Sequence, residues 1–155
     1  MTTNDTANTG AREREETPPI SRLLALAAVL SLAGLADAVY LTVEHLTGRS
    51  VRCSVTSGCS EVLASPYATI GGYPLALLGA LAYFTAFSLA TLAAFGSERA
   101  GQLLAVLVAL MFATSLWLLY VQAFVLHAFC QYCLLSAAIT TLLAIILVAR
   151  RMTKK

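Results

Sequence analysis

Four apolar runs of about twenty residues or slightly more, joined by short polar connections, set the first limit on what this chain can fold into. They extend over Leu23–Leu46, Tyr73–Phe95, Gln102–Leu126 and Phe129–Ala149. At 1.5 Å per residue, each is long enough as a helix to cross roughly 30 Å of hydrocarbon. Only 12% of the residues are charged, against about 25% in an average globular chain, and the mean hydropathy is +0.79. The predicted fold class is therefore all-α, an integral membrane four-helix bundle. Four spans use up most of 155 residues, so no separate soluble catalytic domain is expected and any chemistry belongs at the membrane. The net charge of +2 comes with no basic stripe interleaved with aromatics, which excludes a nucleic-acid partner.

The ends and connections complete the domain organisation. Residues 1–21, rich in Thr, Asn, Arg and Glu and ending near Pro18-Pro19, cannot bury a core and are expected to form a disordered tail. Residues 22–150 form the membrane domain, with a loop over 47–72, and 151–155 form a basic tail. Of the ten Lys and Arg residues, Arg12, Arg14, Arg22, Arg99, Arg150, Arg151, Lys154 and Lys155 fall on one side of the predicted spans, and Arg49 and Arg52 on the other. The positive-inside rule then makes both termini and the Gly96–Gly101 turn cytoplasmic. The 47–72 loop and the turn near His127 face outward from the plasma or inner membrane. Arg22, the apolar run and Ala36-Asp37-Ala38 also resemble a cleaved secretory signal. The apolar stretch continues through Val39, Tyr40, Leu41 and Val43, however, and cleavage would split the termini across the membrane, against the charge count.

The four cysteines come in two pairs on the predicted outer side. Cys53 and Cys59 lie in the loop, and Cys130 and Cys133 form a CxxC at the mouth of the fourth span. Residues i and i+3 share a helix face, so the CxxC thiols can pair locally, and a helix N-terminus favours the reactive thiolate. His127 is either an electrostatic helper when protonated or a wetted boundary residue. Three uses of such sulfur compete: a redox relay in an oxidising compartment, two structural disulfides in a non-enzymatic four-span protein, or a zinc site. A metal site is not expected, because zinc knuckles pair similar short-spaced motifs on polar loops. Between Cys53 and Cys59, Thr56-Ser57-Gly58 is a turn signal. Cys59–Ala64 reads as a short helix with Val62 and Leu63 turned down, stopped by Ser65-Pro66, that would cap the bundle. Gly71-Gly72 reads as a hinge, and Pro74 suits the first turn of the second span.

A lipid-borne substrate would need a pocket near Cys133. Tyr40, Tyr83, Trp117, Tyr120 and Tyr132 fall in the outer half to middle of their spans, where an aromatic belt competes with a binding role. Tyr83 and Trp117 lie deepest, and a polar aromatic tip at depth wants a partner, so both are pocket candidates. Asp37 is the only acid well inside a span. It is a candidate proton relay by the cost of burying it, or else a carboxyl hydrogen-bonded between helices.

Taken together, Cys53-x5-Cys59, Ser65, Gly72-Tyr73-Pro74, Gly79, Tyr83 and Cys130-Gln-Tyr-Cys133 resemble the vitamin K epoxide reductase family, as does Gly34–His45 with its Tyr40-Leu41. The resemblance covers about Leu23–Ala149. It implies a membrane thiol–disulfide oxidoreductase that oxidises a thioredoxin-fold partner and supports disulfide bond formation. Electrons would pass through both cysteine pairs to a quinone, ubiquinone or menaquinone. Many bacterial relatives carry a fused thioredoxin-like domain after the last span; none follows Lys155 here, so a separate extracytoplasmic (periplasmic) thioredoxin-fold oxidase is the expected partner. Animal members carry Asn and Tyr at positions that correspond to about Leu75 and to Ala137, which favours a respiratory quinone over vitamin K epoxide. The family relay, carried over, has Cys59 accept the partner's attack, Cys53 reduce the Cys130/Cys133 disulfide, and Cys133 face the quinone. Ser65, Tyr83 and Trp117 are the candidate quinone-pocket residues.

Overall fold

A computed structural model of the chain describes residues 19–48 and 58–153. Helix α1 runs over Pro19–Leu46, α3 over Leu75–Ala94, α4 over Glu98–Tyr120 and α5 over Gln131–Thr153, with a short α2, Cys59–Ala64, between the first two. Among the described residues, four helices are long and apolar enough to cross a membrane. The third span starts at Glu98 and not at Gln102, because Ser97 caps it: the Ser97 hydroxyl accepts the Ala100 N–H at 3.3 Å. The preceding helix closes in a Schellman motif, with Ser97 N–H donated to Leu92 O at 3.2 Å and Gly96 N–H to Ala93 O at 3.1 Å. Two helix ends thus meet within three residues, which makes α3 and α4 antiparallel neighbours.

The four long helices close a ring in which α1 packs on α3 and α5, and α4 packs on the same two from the other side. Helices α1 and α4 therefore oppose each other across the diagonal. The interior is built of small side chains, Ala27, Ala38, Ala80, Ala86, Ala90 and Ala93, filled in by Leu24, Leu104 and Leu143. Helices surrounded by hydrocarbon gain little from hiding Leu, so close approach of small residues supplies the packing energy. Gly34 is the extreme case, since a Cβ there would run into the ring of Tyr83. The outer surface is the apolar one: Leu26, Val29, Val106, Leu110, Ile145 and Val148 are all exposed. Buried hydroxyls are satisfied locally, Ser31 donating to Ala27 O at 2.8 Å and Thr42 to Ala38 O at 2.7 Å. An apolar outer face, with the few buried hydroxyls satisfied inside, suits hydrocarbon and not water.

One end of the bundle is capped. Helix α2 lays Val62 inward and stops at Ser65, whose N–H and hydroxyl both donate to Val62 O, at 3.3 and 2.7 Å. A 3₁₀ turn over Pro66–Ala68 leads into a two-stranded hairpin, β1 (Thr69–Ile70) against β2 (Tyr73–Pro74), in register Thr69↔Pro74 and Ile70↔Tyr73. Gly71 and Gly72, expected as a hinge, are instead the two central residues of the hairpin turn. Their φ values of +59° and +86° meet the requirement of a type I′ turn for positive φ at both. Pro74 immediately precedes α3 as its N-cap residue.

Candidate active site

The site begins with a break in α4. At Val121–Leu126 the chain passes into a π-helical turn, which ends at His127 in the left-handed conformation, φ 51° and ψ 29°. Such widened turns re-aim side chains and recur at functional positions. Here the turn directs Gln122, only 2% exposed, back toward the start of α5, and its Oε1 accepts the Cys130 N–H at 3.0 Å. The Cys130 carbonyl in turn accepts the Leu134 N–H at 3.0 Å, which places Cys130 at the N-cap of α5. Both CxxC thiols are free. The Cys130 sulfur meets the Cys133 thiol and the backbone N–H groups of Tyr132 and Cys133, a setting of donors that stabilises a thiolate. The Tyr132 ring packs on Tyr40 of α1, with centroids 5.4 Å apart. His127 itself is exposed at the turn.

Gln122 escaped the reading of the sequence, although one signal was there, a lone amide inside a run otherwise made of Val, Ala, Phe and Leu. Gln122→Leu is expected to leave the buried Cys130 N–H unsatisfied. The cost is about 1–3 kcal/mol, measurable as a lower thermal midpoint of the purified protein, with faster alkylation of Cys130 by a small thiol reagent.

The two CxxC sulfurs face different surroundings. Cys130, fully buried, belongs to a cluster with Cys59, Val62, Leu41 and Ala128 beneath the cap. Cys59 is disulfide-bonded and 1% exposed. The cap reaches this close because Gly58 has no side chain: a Cβ there would come within 2.8 Å of Phe129 N and 2.9 Å of the Ala128 Cβ. This bears on the order expected of the loop pair. A sulfur attacked first by a protein partner must be accessible, and Cys59 is packed away beside Cys130. Cys53 lies outside the described residues, as do Arg49, Arg52, Thr56 and Ser57 of the same loop.

Cys133 instead lines a cavity of about 420 Å³ between the four long helices and the cap. Asp37, Ser65, Tyr83, Ser136 and Thr140 share the wall with it. Tyr83 is 1% exposed. Its hydroxyl lies 3.0 Å from Ser136 O, to which it donates, 2.9 Å from Ser136 Oγ and 3.0 Å from Thr140 Oγ1. That hydroxyl is committed to tying α3 to α5, and the ring is what the cavity meets. Trp117 is not on this wall. It is 59% exposed on the outer face of α4, stacked on Tyr120 at 5.9 Å, so the geometry separates it from Ser65 and Tyr83. Among the described residues no three His, Cys, Asp or Glu side chains gather as a metal set.

A four-helix bundle of spanning length that sets a free dithiol between a buried disulfide sulfur and an apolar cavity is an arrangement suited to thiol–disulfide exchange at a membrane. The chain belongs to the vitamin K epoxide reductase family, whose model matches residues 25–148. No curated protein matches it. Family membership makes it a multi-pass membrane oxidoreductase of the thiol–disulfide and quinone type.

Proposed function

We propose that this protein takes electrons from a separate extracytoplasmic thioredoxin-fold dithiol and delivers them through Cys53, Cys59, Cys130 and Cys133 to a respiratory quinone. The observation that carries this is the split of the CxxC pair, Cys130 against the disulfide-bonded Cys59 and Cys133 on the cavity wall. The partner's thiolate attacks Cys53 of a Cys53–Cys59 disulfide and frees Cys59. Cys59 then attacks Cys130 of the oxidised CxxC and releases Cys133. The partner's second thiol leaves with an oxidised partner and a freed Cys53, which closes back on Cys59 and leaves Cys130 and Cys133 reduced. Each step is thiolate attack on a disulfide sulfur. The cavity, lined mostly by apolar side chains with a few polar groups, suits a quinone ring, with Ser65 and Tyr83 on its wall. The competing reading, in which both pairs are structural braces, predicts disulfides that resist a dithiol donor and do not exchange with each other. The charge distribution supports an orientation with both termini cytoplasmic and the cap outside, in the plasma or inner membrane.

The deciding experiment is anaerobic. Purified protein, a reduced thioredoxin-fold oxidase and either a short-chain ubiquinone or a short-chain menaquinone are expected to yield one quinol per disulfide formed in the partner. Partner oxidation without quinone consumption sinks the quinone half of the reading. A membrane-impermeant thiol reagent should label loop cysteines in reduced spheroplasts; labelling only after lysis reverses the orientation.

A further inference from the structure

The electron path leaves one acidic group without a task. Asp37 sits on α1, 9% exposed, and its Oδ2 is fully buried with no hydrogen-bond partner among the described residues. It lines the same cavity as Cys133 and is near enough to Cys133, Cys130 and Tyr83 to interact electrostatically with each. The other buried polar side chains of α1, Ser31 and Thr42, close onto carbonyls one turn back. Asp37 stands between Ala36 and Ala38, where an alanine would complete the small-residue packing without burying a carboxyl. An unpartnered polar atom at such a place costs free energy, and packing does not explain it.

Among the described residues, the titratable groups around Asp37 are few. From α3 comes Tyr83, whose hydroxyl is held by Ser136 and Thr140, and from α5 and its N-cap come Cys133 and Cys130. His45 lies just over two turns along α1, and Tyr67 comes from the cap. Helix α4 lines the cavity with apolar and hydroxyl side chains only, and among the described residues the wall holds no Lys or Arg. Among the described residues no Lys or Arg is therefore positioned to hold Asp37 permanently ionised.

We propose that Asp37 carries the proton from the Cys133 thiol to the quinone oxygen, an inference that rests on the quinone reading above. The balance closes without another reactant. Two S–H bonds break at Cys130 and Cys133 and one S–S bond forms between them. The quinone takes up two electrons and two protons as two O–H bonds. Asp37 accepts the Cys133 proton as the thiolate forms, gives it up to the quinone oxygen and returns to its starting state.

The test uses the full chain in nanodiscs with dithiothreitol as donor and a short-chain ubiquinone as acceptor, comparing wild type, Asp37→Asn and Asp37→Glu. Asp37→Asn is expected to lower kcat for quinone reduction about 10²-fold or more, the usual size of a proton-transfer contribution. The KM for quinone and the rate of dithiol exchange at the loop disulfide should stay close to wild type. Asp37→Glu is expected to recover part of kcat with a displaced pH profile, which a purely structural carboxyl would not produce. Wild-type turnover with an unimpaired Asn variant overturns the Asp37 proposal alone. Equal loss in the Asn and Glu variants with no change of pH profile overturns it as well. Wild-type protein that reduces no quinone overturns the reading beneath it and this proposal together.

Discussion

Replacing Cys59 with Ala is expected to lower coupled quinone reduction by roughly 10³-fold or more, the scale of losing an essential nucleophile, and to leave Cys53 a free thiol that is captured as a mixed disulfide when the partner is added in its disulfide form. The reason is burial. Cys59 is packed with Cys130 under the cap, and in the proposed order it passes electrons inward and does not receive the protein partner. Cys53→Ala is expected to have an equally large effect with the opposite trapped species, a Cys59–Cys130 disulfide that bridges the cap to the mouth of α5. Non-reducing electrophoresis followed by peptide mapping distinguishes the two. A partner captured on Cys59 in the Cys53 variant would restore the order first expected from the family resemblance.

The largest effect on stability is expected at Gly34. A Cβ at this position overlaps the Tyr83 ring, and that ring cannot swing away without giving up its hydroxyl contacts to Ser136 and Thr140 on α5. Overpacking of this kind costs about 1–3 kcal/mol, and each hydrogen bond lost adds about 1 kcal/mol. Gly34→Ala should therefore lower the thermal midpoint in detergent clearly. Because Tyr83 also lines the cavity, it should raise the KM for quinone too. In a Tyr83→Ala background the same substitution should cost much less, since the clashing ring is gone, and this coupling is what a double-mutant cycle measures. Additive losses would show that Gly34 acts through helix propensity and not through Tyr83.

The pairing of the sulfur along the chain was legible because it depends on local spacing. CxxC at the mouth of an apolar run, and a second pair in the loop that would cap it, were readable from residue order alone. Helix α2 and its stop at Ser65-Pro66 were readable for the same reason, since the backbone of Pro66 and the hydroxyl of Ser65 act within one turn. Gly71-Gly72 was legible as a break but not as a hairpin, because its turn type depends on strands only two residues long that pair with each other.

What the sequence by itself determined is the set of four spans, the spacing of the cysteines and the end of the bundle where Cys59, Cys130 and Cys133 gather. Hydropathy and spacing are properties of neighbours along the chain. What only the tertiary structure decided is which face of each span turns inward, and with it the site. A helix that is apolar all round carries no strong sign of its inner face, since hydrocarbon and bundle interior are nearly equivalent surroundings for Leu. Tyr83 and Trp117, alike in depth and character by sequence, were separated in this way: Tyr83 turned inward against Gly34 and Trp117 outward beside Tyr120. The same packing put Gln122 under Cys130 and Cys59 beside it, contacts between residues distant in the chain that no local pattern encodes.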